Sequence, residues 1–280
     1  MRARHWLIVP AALMLLLFLV IPYFNIVVMS VRMPGSGVPY APGWTLGNFG
    51  RFFSDLFYLE QLANTVWIGV VTTACCLLIG YPVAWQLARG APAWRGLRYG
   101  IVLTPLLVGI VIRSYGWTIL LGNNGVINRT LLGWGIIEAP LPLMYNGFGI
   151  VLALVHVLLP FMIFPVMGAI QGVEPALELA ARSLGAGRGT AFVRVVLPLS
   201  LPGVQAGCIL VFVLAISAYV TPAMIGGLRV KTAAVSVVDA LIDSFQWPFG
   251  SAMALILATV GAIAVLGFAR ATRMAWAARR

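Results

Sequence analysis

The sequence predicts an all-α membrane protein with six transmembrane helices. Three observations carry the prediction. Of the 280 residues, 61% are hydrophobic and only 9% are charged, and the mean hydropathy is +1.01. A soluble domain of this size charges roughly a quarter of its residues, so the solvent for most of this surface is a bilayer. Six runs approach the length of about 20 apolar residues that crosses a bilayer. Lys and Arg are also spread unevenly among the segments between those runs.

The first run, residues 6–29, is longer than the roughly 7–15 apolar residues of a signal peptide, and no small-x-small cleavage site closely follows it. It is expected to be a retained span. "RMPGSGVPYAPGW" (Arg32 to Trp44) is too rich in Pro and Gly to span. The second and third spans are expected at 62–88 and 99–121. "GNNGVINRTLLGWG" then reads as a short amphipathic segment between turns. The fourth span is 148–170, and a polar loop covers 171–198. The fifth span is 199–220 and the sixth 249–268, with Trp247 an interfacial anchor at its start. Pro82, Pro160, Pro165, Pro202 and the span glycines permit kinks. No soluble domain, linker or internal repeat stands out, so residues 1–280 read as one transmembrane domain.

Loop charge sets the orientation. With a cytoplasmic N-terminus, the inner segments hold twelve arginines: Arg2, Arg4, Arg89, Arg95, Arg98, Arg182, Arg188, Arg194, Arg270, Arg273, Arg279 and Arg280. The outer loops hold five cations, Arg32, Arg51, Arg129, Arg229 and Lys231, while Arg113 lies within a span. Five of the seven acids, Asp55, Glu60, Glu138, Asp239 and Asp243, fall outside. Both termini are therefore expected in the cytoplasm. The formal net charge of +11 follows this topology and does not form one basic face, so no nucleic-acid partner is expected. Cys75, Cys76 and Cys208 lie in apolar runs without ligand or disulfide spacing and read as small packing residues.

The loop "LELAARSLGAGRGTAFVRVVLP" (Leu177 to Pro198) is the polar oddity of the chain. Glu174-Pro175 is a good helix start, since proline at the first position loses no needed hydrogen bond and glutamate suits the dipole. Leu177, Ala180, Ala181 and Leu184 then share one face. Gly185 stops the helix, and Pro198 marks entry to the next span. Such a helix either rests among lipid headgroups or docks a small apolar face into a partner's groove.

The same residues resemble the EAA loop of permease subunits in binding-protein-dependent ABC importers. That pattern is Glu-Ala-Ala, three residues, Gly, nine residues, Ile-x-Leu-Pro. Here Ala180-Ala181 are followed by Arg182, Ser183, Leu184 and Gly185, then after nine residues by Val195, Val196, Leu197 and Pro198. Leu179 stands where the glutamate is expected, and Glu178 lies about 100° round the helix from it. "NTVWIGVVTTACCLLIGYPVAWQLAR" (Asn64 to Arg89) and "TPLLVGIVIRSYGW" (Thr104 to Trp117) are similar to spans of the spermidine/putrescine-type permeases. "LLPFMIFP", "YVTPAMIGG" and "WPFGSAMA" are similar too, and the order of motifs resembles the first of two permease subunits. The resemblance implies a type I importer bundle with a cytoplasmic coupling helix in a bacterial inner membrane. It also implies a heterodimer with a second permease, a dimeric cytoplasmic ATPase and a periplasmic solute-binding protein. The coupling residues it implies are Leu177, Glu178, Ala180, Ala181, Arg182, Leu184 and Gly185. The solute it implies is spermidine, putrescine or a related amine or opine-like compound.

No nucleotide site is expected in this chain. Its only lysine, Lys231, follows Val230 where a phosphate loop needs Gly, so ATP is expected at the partner ATPase and no cofactor here. Candidate pathway residues are Arg113, Tyr115, Trp117, His156, Tyr219, Asp239 and Asp243. A charge inside a span is costly, so Arg113 either serves the pathway, braces the bundle through an acidic partner, or snorkels to the interface. His156 is either a hydrogen-bonded bundle residue or lines the path. Tyr115, Trp117 and Tyr219 form either an aromatic route for cations or interfacial anchors. Asp239 and Asp243, four apart, attract a cation, dock the binding protein or merely solvate the surface. A self-contained secondary transporter is the alternative. It usually carries carboxylates within its spans, and none is evident here. A membrane enzyme would need a nucleophile and base or clustered ligands, and His5 and His156 are the only histidines.

Overall fold

A computed structural model describes residues 9–35 and 38–277. Arg2, Arg4, His5, Trp6, Arg279 and Arg280 lie outside the described residues. α1 (Val9–Leu15) runs through a π-helical turn, Leu16–Val20, into α2 (Ile21–Ser30). A short antiparallel pair follows, β1 (Arg32–Met33) with β2 (Ala41–Trp44). Next come α3 (Gly47–Ser54), α4 (Leu56–Arg89), α5 (Arg95–Leu107), α6 (Ile110–Leu121), α7 (Val126–Gly133) and α8 (Gly147–Gln171). α9 (Pro175–Ser183) is the helix of the polar loop. α10 (Arg188–Ala191), a π turn at Phe192–Val196 and α11 (Leu197–Ile216) form one continuous run. α12 (Val220–Gly226), α13 (Ala233–Val238), a π turn at Asp239–Asp243 and α14 (Trp247–Ala277) complete the order.

Among the described residues, five helices are long and apolar enough to cross a membrane, and six if a bent pair counts as one span. Three expected spans, 62–88, 148–170 and 249–268, fall inside Leu56–Arg89, Gly147–Gln171 and Trp247–Met274, and the first expected span overlaps Leu13–Ser30. The expected continuous span at 99–121 is corrected. α5 and the α6–α7 segment meet at 95°. Pro105 has no N–H and removes one rung of the α5 ladder. Val108 and Gly109 then take extended conformations, with ψ of 130° and 142°. The helix over the fifth expected span runs from Arg188 to Ile216, leaving Tyr219 beyond its end. Pro198 is the second residue of α11. The preceding π turn makes room for it, with Leu197 N–H reaching back to the Phe192 carbonyl. The π turn before Pro22 has the same arrangement, Ile21 N–H to Leu16 carbonyl. A widened turn relieves the clash a proline ring makes with the preceding turn.

The contacts group into two compact units. One holds the residues up to Leu62 together with Ala233–Ala262, and the other holds Ala63–Thr232 with the residues from Ile263 onward. In the first unit Tyr58 stacks on Phe52 at 5.8 Å and meets the edge of Phe249 at 5.0 Å. The guanidinium of Arg51 lies 4.1 Å from the Phe249 ring centre and donates to Gln246 at 2.9 Å. The buried Asn48 amide donates to the carbonyls of Ser30 and Arg32 at 2.8 and 2.9 Å, tying α3 to the end of α2.

α8 is the core helix of the second unit. It packs on α11 through a seam of small residues. A Cβ on Gly203 would lie 2.4 Å from Ala169 Cβ and 2.5 Å from the Pro165 carbonyl, and one on Gly207 would lie 2.8 Å from Met162 Sδ. Gly203 and Gly207, four apart, let the two backbones touch, as glycines do where helices cross in lipid. Pro82, Pro160, Pro165 and Pro202 all lie inside continuous helices. Cys76 and Cys208 are buried and Cys75 half-buried, all as free thiols.

Candidate functional site

α9 starts where the sequence says it should, with Glu174 as N-cap and Pro175 at the first position. Its end is closed by backbone alone. Ala186 N–H bonds the Ala181 carbonyl at 3.1 Å and Gly185 N–H bonds the Arg182 carbonyl at 3.0 Å. Gly185 sits at φ +90°. This is a complete Schellman closure, and its left-handed residue is glycine because a Cβ there costs about 1–2 kcal/mol.

The helix leaves its apolar residues uncovered. Leu177 is 46% exposed, Leu179 58% and Leu184 90%. Ala180 and Arg182 are exposed, while Glu178 and Ala181 are half-buried. Full burial of one leucine is worth about 1.5–3 kcal/mol, so this face is unfinished without a covering surface. Leu179, at the expected glutamate position, is exposed on the opposite side of the helix from Leu177 and Leu184.

Arg113 stands in the second turn of α6 beside the break. Its Nη1 donates to the carbonyl of Pro105 in α5. Its partner here is a helix-end carbonyl and not a carboxylate. The neighbouring Ser114 hydroxyl bonds Thr221 at 3.1 Å, both buried, joining α6 to α12. The break is thus stitched by a cap on one side and a hydroxyl pair on the other.

Trp117 and His156 come together: Trp117 Nε1 donates to His156 Nδ1 at 3.3 Å, with the rings edge to face at 5.6 Å. An imidazole that accepts at Nδ1 carries its hydrogen on Nε2. His156 is exposed although Val155 and Val157 beside it are buried. Tyr115 is 60% exposed and Tyr219 39%. Neither makes a ring contact with Trp117 among the described residues. Asp239 and Asp243 open and close one π turn, Asp239 half-buried and Asp243 exposed.

The sequence reading missed Arg89 as more than a loop charge. Its Nη2 donates to the carbonyls of Ile170, at 3.2 Å, and Val173. It also missed Tyr81, Trp85 and Phe192, which form an aromatic group at the exit of the α9 loop. The four-residue spacing of Tyr81, Trp85 and Arg89 was the available signal.

The chain is 33% identical over 260 residues to the spermidine/putrescine transport system permease protein PotB of Haemophilus influenzae, covering 93% of this chain and 91% of that protein. It is 32% identical to PotB of Escherichia coli, covering 93% and 94%. The chain belongs to the spermidine/putrescine-type ABC importer permeases. The inner membrane ABC transporter permease protein YdcU of Escherichia coli is 31% identical over 66% of the permease and 63% of that protein. Among solved structures, a bacterial ABC transporter that imports alginate matches with a TM-score of 0.78 at 17% identity, over 97% of the permease and 96% of that chain. The alginate transporter bound to its pentasaccharide-loaded periplasmic protein matches at 0.73 and 16% identity, over 98% and 94%. No protein-family model matches. The permease is a multi-pass transport protein and not an enzyme, with the fold of an ABC importer permease.

Proposed function

We propose that the permease forms half of the pathway of a polyamine importer in a bacterial inner membrane, beside a different second permease. Similarity to PotB over nearly the whole chain is the observation that carries the solute class. A periplasmic binding protein delivers spermidine or putrescine. A cytoplasmic ATPase dimer hydrolyses ATP, and this chain binds no cofactor. The whole chain acts as one transmembrane domain with both ends in the cytoplasm, in keeping with the arginine bias of the loops.

The uncovered face of α9 supports an ATPase-docking role for Leu177, Glu178, Ala180, Ala181, Arg182, Leu184 and Gly185. A Schellman end satisfied by its own backbone lets the helix keep its shape when pushed. In the pathway, Trp117 and His156 offer a cation the indole face and a fixed imidazole. Tyr115 and Tyr219 contribute exposed rings. Neither α6, α8 nor α11 carries a carboxylate, so the polyamine passes without a strong resting site. Asp239 and Asp243 serve the binding-protein side. Arg113 acts as a brace and repels the cargo from the break.

The test is ligand binding by the cognate solute-binding protein, paired with uptake of radiolabelled spermidine by the reconstituted importer. Micromolar-or-tighter binding of spermidine or putrescine is expected. A binding protein that takes only anions would sink the polyamine reading.

A further inference from the structure

Tyr81, Trp85 and Arg89 fall four residues apart at the end of α4, so they form one stripe on that helix. Each reaches a different part of the segment around α9. Arg89 donates to the carbonyls of Ile170 and Val173, where α8 ends and the chain turns toward α9. Phe192, first residue of the π turn after α9, sets its ring edge-on to Trp85 at 5.3 Å and to Tyr81 at 5.7 Å. The Tyr81 hydroxyl also bonds the buried Ser200 in α11 at 2.8 Å. The loop is therefore gripped at its entry and its exit by one face of one helix. Between those grips α9 is largely uncovered.

Both grips are stiff. A hydrogen bond from a charged group is worth about 1.5–3 kcal/mol, and Arg89 holds two carbonyls at a place where Nε is buried without a partner. Edge-to-face ring pairs add about 0.5–1.5 kcal/mol each. The π turn at Phe192–Val196 is the one widened turn between α9 and the seam of α11 with α8, and such turns recur at functional sites.

We infer that the stripe Tyr81–Trp85–Arg89 is the positioning element that carries movement of α9 into α4. This rests on the reading of α9 as the ATPase-docking helix. Besides the backbone into α8 and α11, force on α9 reaches α4 by two routes, the Val173 carbonyl and the Phe192 ring.

The experiment is hydrogen–deuterium exchange on the complete importer in nanodiscs, nucleotide-free and with ATP plus vanadate. Peptides from 173–187 report docking, and peptides from 81–89 report transmission. In the wild-type complex both regions are expected to respond to nucleotide. In Arg89→Gln and Phe192→Ala the loop is expected to respond still, while the response at 81–89 shrinks about fivefold or more. Arg89→Lys and Phe192→Tyr keep a donor and a ring and are expected to restore it. A purely structural rivet would change the nucleotide-free exchange and leave the nucleotide response in proportion, which overturns the inference. A wild-type response confined to 173–187 overturns it as well while leaving docking intact. Silence at 173–187 in the wild type would instead remove the docking reading itself, and the inference with it.

Discussion

The ends of α9 and α5 are closed in opposite ways. α9 ends at an exposed glycine, with its last carbonyls satisfied by the next two backbone N–H groups. α5 ends in an apolar stretch at Val108–Gly109, and the carbonyl of Pro105 there is met by the side chain of Arg113, eight residues on. The difference follows from the surroundings. In water a loose carbonyl finds a solvent donor. In lipid each unsatisfied group costs several kcal/mol, so a broken span must bring its own donor. The exposed end is self-contained and free to be moved, whereas the in-span end depends on one cation.

The largest effect is expected at the exposed end. Gly185→Asp forces a side chain into a left-handed position and puts a charge beside the apolar face. Uptake in the reconstituted importer is expected to fall more than about tenfold, well beyond what the small drop in melting temperature from about 1–2 kcal/mol of strain at this position accounts for. Normal uptake and normal recovery of the ATPase would count against the docking role. The in-span end should show the reverse pattern. Arg113→Met removes the donor from Pro105, and a loss of about 2 kcal/mol of stability is expected in thermal unfolding, with Arg113→Lys recovering part of it. If Arg113→Met unfolds like the wild type, the cap is not holding the break. Smaller still, Leu184→Ser removes apolar area that is 90% exposed. It should weaken ATPase binding by about 1–2 kcal/mol while leaving the permease's own stability untouched. Ser114→Ala deletes one side of the buried pair with Thr221 and is expected to cost about 1 kcal/mol, read as a small shift in melting temperature.

The same contrast explains what was legible in the sequence. α9 and its end are written in consecutive residues: Glu174-Pro175 opens it, Gly185 closes it, and nothing distant intervenes. The break at Val108–Gly109 was not legible, because proline and glycine inside spans are common and usually tolerated. Pro82, Pro160, Pro165 and Pro202 lie within unbroken helices, while Pro105 precedes a 95° turn. What separates them is two consecutive extended residues and a guanidinium within reach, a tertiary fact. Arg113 was legible as costly but not as a cap. Arg89 read as one inner-loop charge among twelve, since its partners Ile170 and Val173 lie far along the chain. His156 and Trp117 were each singled out, yet only the fold pairs them.

The seam of Gly203 and Gly207 against α8 has a mechanical meaning. Two backbones in direct contact have no side-chain cushion to shear. Sliding one helix along the other would press Ala169 and the Pro165 carbonyl against positions bulkier than Gly203, where only a hydrogen atom now fits. This close contact resists sliding of α8 along α11. A pair of probes on α8 and α11 is expected to keep a constant separation between the nucleotide-free and ATP-bound importer, and a change in that separation would show that the seam does slide.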